Sequence, residues 1–409
     1  MYLFKYNGRV LYLKKYVKIE LKDRGEMKMR FDYYMPTKIH FGAGALEQLS
    51  SAVLPSGKAL LVTGGTSTTK LGFVDRVTKL LNESGHEVVV YNKVEPNPNI
   101  ESVRVATKLL KENDCSFVVG LGGGSSLDAA KAIAIMATNP GDFWDYISGG
   151  TGKGKPIQVA PLPMIAITTT AGTGTEADPW MVITNGKEKI GFGDFDHTFP
   201  TLSIVDPELM ISVPAHLTAY QGFDALFHSL EGYIANVASP MSDMFALEAI
   251  KLIGKYLPTA VNEPENMEAR SYVALANTLS GFVESLSSCT SEHSIEHALS
   301  GYHYELPHGA GLIMLSLAYF EVFSKVCPER TNEMAKALGN EDGDIVQALQ
   351  DLQIACHVDQ LKMSDYGIKA ELFEEYASHA FDDMGGLFKL DRTILTKEDV
   401  ITILEKSYR

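Results

Sequence analysis

The chain has little of what would make it a disulfide scaffold, a thiolate metal protein or a nucleic-acid binder. Only four cysteines occur in 409 residues (Cys115, Cys289, Cys327 and Cys356), scattered and without a C-x-x-C pair. Thiols so placed read as reduced and mostly buried, which predicts a cytoplasmic protein. Positive charge is also short: 36 Lys and Arg stand against 51 Asp and Glu, a formal charge of -15. That balance argues against nucleic acid or an anionic membrane as the partner. No apolar run reads as long enough to span a bilayer. A P-loop is missing, since no G-K-[ST] follows a glycine turn, and so is the G-x-G-x-x-G spelling. The charge reverses only at the start, where the first thirty residues carry nine Lys and Arg against three Asp and Glu. Residues 1–31 are therefore set apart as a basic extension, with a weak strand pattern over 10–21 and no signal-peptide core.

What remains is ordinary globular composition, 45% hydrophobic and 21% charged, in a length that implies two domains. Between residues 36 and 209 short β-rich runs alternate with amphipathic stretches. Strands are predicted at 58–63, 87–91, 116–120 and 164–168, helices at 73–84, 101–112 and 127–137, and a hairpin from 180–183 and 189–192. This alternation implies a parallel sheet with crossover helices, a Rossmann-like α/β domain over 32–209. Past Asp206-Pro207 the periodicity becomes helical (219–235, 240–256, 267–288, 312–323), predicting a mostly α-helical domain over 210–409.

Two loops in the first domain are built from small residues. In Val118-Val-Gly-Leu-Gly-Gly-Gly-Ser-Ser-Leu-Asp-Ala-Ala-Lys131, strand gives way to helix through Gly122, Gly123 and Gly124. Without Cβ atoms these let backbone approach a phosphate, while the helix N-terminus and Ser125 offer donors. A glycine turn with no ligand is the competing reading. Thr168-Thr-Thr-Ala-Gly-Thr-Gly-Thr175 follows another strand, and two such loops at strand C-termini mark where an open α/β sheet binds a ligand.

In the second domain Asp224 and His228 stand four apart on one helix face, as do His293 and His297, and His308 sits in a Leu-Pro-His-Gly turn. Four of the eleven histidines fall between 293 and 308, more than packing demands. One carboxylate and three imidazoles from this set could enclose a divalent ion of the Zn or Fe(II) type with a position left for substrate.

GGGSSLDAAK, TTAGTGTEAD, Asp-x-x-x-His and the His-rich segment ending in Leu-Pro-His-Gly, in that order over roughly 32–409, resemble the iron-containing (group III) alcohol dehydrogenase family. The resemblance implies metal ligation by Asp224, His228, His293 and His308, with His297 near the nicotinamide as a proton-transfer residue. It places dinucleotide contacts on Gly122, Gly123, Gly124, Ser125, Asp128, Thr169, Thr170, Thr173 and Lys189, with Gly64 and Gly65 in the loop near the ribose. The implied reaction is hydride transfer between a small alcohol or aldehyde and NAD(P), with Fe(II) or Zn(II) as Lewis acid, in a homo-oligomer of two or more chains. Where many NAD-using relatives carry Asp, this sequence has Gly64, followed by Thr66 and Ser67. That predicts a preference for NADP(H) over NAD(H). The stretch from His297 to His308 is one residue longer than usual, leaving His303 as a rival ligand or substrate contact. Glu296 replaces a small or apolar residue, and Thr168 a frequent proline. Phe223, Phe227, Phe282, Tyr302 and Tyr304 are expected to wall an apolar substrate pocket.

Two other activities compete. His293-Ser-Ile-Glu-His297 spells the H-x-x-E-H of inverted zinc hydrolases, with Glu296 as general base, but leaves both glycine loops unexplained. A sugar-phosphate cyclase resembling dehydroquinate synthase would share the fold, yet it needs a basic cluster that the His segment lacks. A metal-free binding relative is the non-enzymatic alternative.

Overall fold

Strands that are apolar on both faces can only lie in the middle of a parallel sheet covered on both sides by helices. The structure, a computed structural model, describes residues 31–409, so the weak strand pattern over 10–21 and nearly all of the basic extension lie outside the described residues. Six strands form the sheet: β1 (Lys38–Phe41), β2 (Lys58–Gly64), β3 (Val88–Val94), β4 (Cys115–Gly122), β5 (Met164–Thr168) and, after a separate hairpin of β6 (Trp180–Asn185) and β7 (Glu188–Gly193), β8 (Leu202–Val205). Their order is β1-β8-β5-β4-β2-β3 and every pairing is parallel. β5 is buried at all five residues, as its central place requires. On one face lie α2 (Ile100–Glu112) and α3 (Gly124–Thr138), and on the other α1 (Phe73–Glu83). The α1 stripe of Val74, Val77, Leu80 and Leu81 is the helical period that buries one face. α2 starts where Asn99 accepts from the Ser102 amide at 2.9 Å, an N-cap bond.

The helical half follows: α4 (Ala215–Ile234), α5 (Pro240–Asn262), α6 (Met267–Ser287), α7 (Ser291–Tyr302), α8 (His308–Val326), α9 (Pro328–Ala337), α10 (Ile345–Ala355), α11 (Phe373–Met384) and α12 (Lys397–Ser407). α5 outruns its predicted end at 256 and passes through Pro258, because Leu257, Ala260 and Val261 are buried and hold the last turn in place. α8 corrects another expectation. At 19 residues and a mean hydropathy of 1.4 it is long and apolar enough to cross a bilayer. Leu312, Leu315, Tyr319, Phe320 and Phe323 instead bury it in the helical core.

The halves are joined next to the second small-residue loop. Gly174 and Gly281 of α6 meet so closely that a Cβ on Gly281 would stand 2.4 Å from the Gly174 carbonyl oxygen. Beside them Glu176 is fully buried and its Oε1 accepts from Asn277 Nδ2 and Thr278 Oγ1, both at 2.9 Å. Burial pushes this carboxyl up to about 7 from an ordinary 4.5. A raised carboxyl pKa stabilises the fold below its unfolded value, and that stabilisation is lost as pH climbs through the folded value. Glu176→Gln keeps the Oε1 acceptor and removes the titration. Its stability relative to the parent chain should therefore improve from pH 5 to pH 8, on the order of 2 to 3 kcal/mol. Melting temperatures at both pH values check this, and an unchanged difference would refute it.

Candidate metal centre and dinucleotide cleft

Helical geometry decides which way the acidic and imidazole groups point. On α4, Asp224 and His228 are one turn apart and project together. α7 supplies His293 and His297 in the same relation, and Pro307 turns the chain so that His308 opens α8. Asp224 Oδ1 lies 3.7 Å from His228 Nε2, 3.6 Å from His293 Nε2 and 3.4 Å from His308 Nε2. Donors held about 2.1 Å from one tetrahedral ion stand about 3.4 Å apart, so the spacing suits ligands of a shared cation. Asp224 Oδ1 and His293 Nε2 are buried and have no hydrogen-bond partner, the state of donors made for an ion. Burial opposes ionisation of Asp224, yet the His228 and His308 imidazoles hold its carboxyl well below the usual range. The residues fit a divalent metal.

Behind each of the three imidazoles stands a buried glutamate. His293 Nδ1 bonds Glu231 Oε1, while Glu231 Oε2 also accepts from the Thr290 amide at 2.8 Å and its hydroxyl at 3.0 Å. His308 Nδ1 bonds Glu296, which Lys189 Nζ approaches at 3.5 Å. His228 Nδ1 is 3.3 Å from Glu284 Oε1, in a geometry that leaves both atoms without a hydrogen bond. The hydrogen-bonded carboxylates Glu231 and Glu296 fix the tautomers of His293 and His308 so that each Nε2 presents its lone pair to the ion.

His297 stands apart. Its ring centre is 5.2 Å from that of His308, and its Nδ1 lies 2.9 Å from Met384 Sδ. Burial, then the Lys189 ammonium and the neighbouring imidazoles, keeps it well below 6.5 and so neutral. His303 is taken out of contention, because its Nε2 pairs with Tyr376 Oη at 2.8 Å. Glu296, committed to His308 and Lys189, is not a free general base.

The small-residue loops lie across the cleft. Gly64–Gly65, Gly122–Gly123 and Thr169–Thr170 end three adjacent strands, β2, β4 and β5. Gly122 takes a φ of 144°, and a Cβ on Gly124 would stand 2.5 Å from Thr173 Cγ2, so the two loops interlock only because the first is glycine. No side chain caps α3, leaving its first amides open to an anion. Gly64 has no room for a longer side chain either: a Cβ would meet the Val94 carbonyl oxygen at 2.8 Å. Two expected contacts have partners within the protein. Asp128 accepts from Thr175 Oγ1 and the Val182 amide, each at 2.9 Å, and Lys189 Nζ donates to Ser300 Oγ at 2.8 Å.

One cavity of about 180 Å³ joins the two sides, reaching Gly124, Ser125, Asp128, Thr173 and Lys189 as well as Asp224, His228, His293, His297 and His308. Its far wall differs from the aromatic one expected. Phe223 and Phe227 are wholly buried in the helical core, Phe282 packs on Phe245, Tyr302 on Tyr376, and Tyr304 bonds the Pro96 carbonyl. Trp180, Met181, Met384, Asp178, Glu284 and Cys289 line it instead. Lys189 is the one Lys or Arg among the lining residues, which gives a phosphate-bearing cyclase substrate little to bind.

Residues 36–207 match the family described as iron-containing alcohol dehydrogenase, and residues 218–408 match its C-terminal region. The chain belongs to the iron-containing alcohol dehydrogenase family. Alcohol dehydrogenase 4 of Saccharomyces cerevisiae is 35% identical over 384 residues, covering 92% of this chain and 98% of that one. The NAD-dependent methanol dehydrogenase of Bacillus methanolicus is 33% identical over 389 residues, 92% and 99% of the two chains. A crystal structure of an archaeal halo-thermophilic alcohol dehydrogenase from a Red Sea brine pool superposes with a TM-score of 0.88 at 35% identity, covering 93% of this chain and 100% of its own. The protein is thus an oxidoreductase of alcohols and aldehydes that uses a metal and NAD(P), and neither the hydrolase nor the cyclase reading is needed.

Sequence reasoning missed Glu231 and Glu284, and it named Glu296 as a general base where the structure sets it behind His308. Glu231 had a signal, since it follows Asp224 and His228 at seven and three residues on the same helix face. Glu284 had none. Glu231→Gln should weaken metal binding about 10- to 100-fold, because the outer carboxylate tunes His293. Metal content after dialysis against graded chelator measures this, and full retention would contradict it.

Proposed function

We propose that this chain interconverts small primary alcohols and aldehydes with Asp224, His228, His293 and His308 holding a divalent ion and NADP(H) as the preferred coenzyme. The observation that supports it most is the single cavity running from the convergent Nε2 atoms to the open N-terminus of α3. When bound, the ion would act as Lewis acid on the substrate oxygen and the nicotinamide would exchange the hydride. The chain's residues do the rest. The Gly122–Ser125 turn and the Thr169–Thr173 loop orient the dinucleotide, the cleft excludes water, and Lys189 is clamped by Ser300 between coenzyme and His308 sides. His297, neutral and lining the cavity, is placed to accept the proton leaving the alcohol. The small cavity supports a substrate of few heavy atoms.

Donors of one carboxylate and three imidazoles suit Fe(II), while Zn(II) competes for such sites on the Irving–Williams trend. A panel of alcohols and aldehydes followed at the nicotinamide absorbance, with metal analysis, tests the reading. His297→Ala should keep its metal and lose about a hundredfold in kcat. Loss of the metal in that variant would sink the proton role.

The coenzyme preference rests on Gly64. A carboxylate there would repel a 2′-phosphate, and none can be housed beside Val94. Gly65 is open around its Cα, and Thr66 and Ser67 follow it with hydroxyls. One hydrogen bond to a charged phosphate is worth about 1.5–3 kcal/mol, so kcat/KM for NADPH should exceed that for NADH by about tenfold or more. A preference for NADH in the same assay would reject the assignment.

A further inference from the structure

A glycine at position 64 removes a repulsion but attracts nothing, so a coenzyme 2′-phosphate still needs a positive group. The loop Gly64-Gly65-Thr66-Ser67 carries no charge of its own. A cation has to come from the strand beside it or from the far end of the turn that follows it. Those positions hold Lys93, in β3, and Lys70. β3 is an edge strand that pairs only with β2. Its ladder is regular from Ala59 opposite Val88 to Val62 opposite Tyr91, and then slips so that Gly64 stands opposite Val94. Thr63 therefore faces two residues, Asn92 and Lys93. An extra residue of this kind bends the strand and re-aims its side chains, a device frequent beside binding sites.

The slip also ties the loop to β3. The Val94 carbonyl accepts from the Gly65 amide at 3.2 Å, and the Val94 side chain packs into the core shared with α2 and α3. Lys93 is thus one residue from the contact that fixes Gly65. Neighbouring strands lie about 4.8 Å apart, less than the length of a lysine's four-carbon stem, so its ammonium can reach the loop. Thr63 Oγ1 and Thr68 Oγ1 are 2.8 Å apart, which draws the turn Ser67–Lys70 against the end of β2 and leaves Thr66 and Ser67 exposed. Lys93 is exposed too, and among the described residues no carboxylate pairs with it, whereas Lys58 of β2 is paired with Glu87 at 3.0 Å. Glu95, two residues on, is held towards the helical half, its Oε2 accepting from Asn99 Nδ2 at 3.2 Å and Tyr304 Oη at 3.5 Å. Lys70 starts a full turn beyond the hydroxyls, since its amide bonds the Thr66 carbonyl at 2.8 Å.

We propose that Lys93 supplies the positive charge for the coenzyme 2′-phosphate, with Thr66 and Ser67 as hydroxyl donors, and so sets the choice of NADP(H) over NAD(H). This rests on the NADP(H) reading above. The 2′-phosphate belongs to the adenosine end of the coenzyme, far from the carbon that exchanges hydride. Lys93 therefore acts on coenzyme binding and leaves the chemical step alone. A lysine that only helped β3 to pair would affect both coenzymes equally.

The experiment titrates the metal-loaded enzyme by calorimetry with adenosine 2′,5′-bisphosphate and with adenosine 5′-monophosphate, which differ only in the 2′-phosphate. The parent enzyme should bind the bisphosphate about tenfold or more tightly. Lys93→Ala should cut that ratio about fivefold or more, Lys93→Arg should restore it, and Lys70→Ala should leave it within about twofold. In turnover, Lys93→Ala should raise KM for NADPH by a similar factor, with kcat for NADPH and KM for NADH unchanged. A ratio unchanged in Lys93→Ala, or lost in Lys70→Ala instead, would overturn the role of Lys93 and leave the NADP(H) reading standing. Equal binding of the two nucleotides by the parent enzyme would reject both. A parallel loss of affinity for both nucleotides in Lys93→Ala marks a change in the shape of the loop and likewise rejects a role in choosing between coenzymes.

Discussion

Everything in the cleft depends on one buried electrostatic arrangement, the approach of three imidazole Nε2 atoms to a single oxygen of Asp224. In a low-dielectric interior such a cluster is tolerable only if its donors are oriented and its charge is matched. The orientation comes from behind. Glu231 and Glu296 hold His293 and His308 from the Nδ1 side, and Thr290 holds Glu231 in turn. The charge match requires a cation in front, which is why Asp224 Oδ1 and His293 Nε2 can remain buried and unpaired. The helical half has to be helical for this reason: α4, α7 and α8 give the one-turn spacing and the rigid N-terminus that aim these groups.

Much of this was legible in the sequence because it follows from local periodicity. Asp224 and His228, or His293 and His297, share a face whatever else happens, and strands such as β5 announce burial by being apolar throughout. The same rule explains what failed. Phe223 and Phe227 each precede a cavity-facing residue by one position, about 100° round the helix, so they pack into the core with Phe320 and do not line the pocket. His303 is likewise turned away from the ligands, with its Nε2 against Tyr376 Oη. Trp180, Asp178 and Glu284 meet from a hairpin, a loop and α6, and no spacing within one segment encodes such a meeting. The helix running through Pro258 was hidden as well, because tertiary burial there outweighs the local cost of proline.

The two kinds of prediction differ in what they depend on. The dinucleotide loops are constrained by shape: Gly124 touches Thr173, and Gly64 touches the Val94 backbone, so their residues are small because nothing larger fits. The metal side is constrained by charge, and there buried glutamates stand behind the imidazoles. Family membership accounts for the shared chemistry.

All four proposed ligands belong to α4, α7 and α8, and none comes from the sheet. An ion bound there would staple three helices of one half without bridging the cleft. The cleft could then widen to exchange one coenzyme for another while the coordination sphere travelled intact with the helical half. Retention of the ion would then depend on the helical half, and hold on the coenzyme on the loops of the sheet.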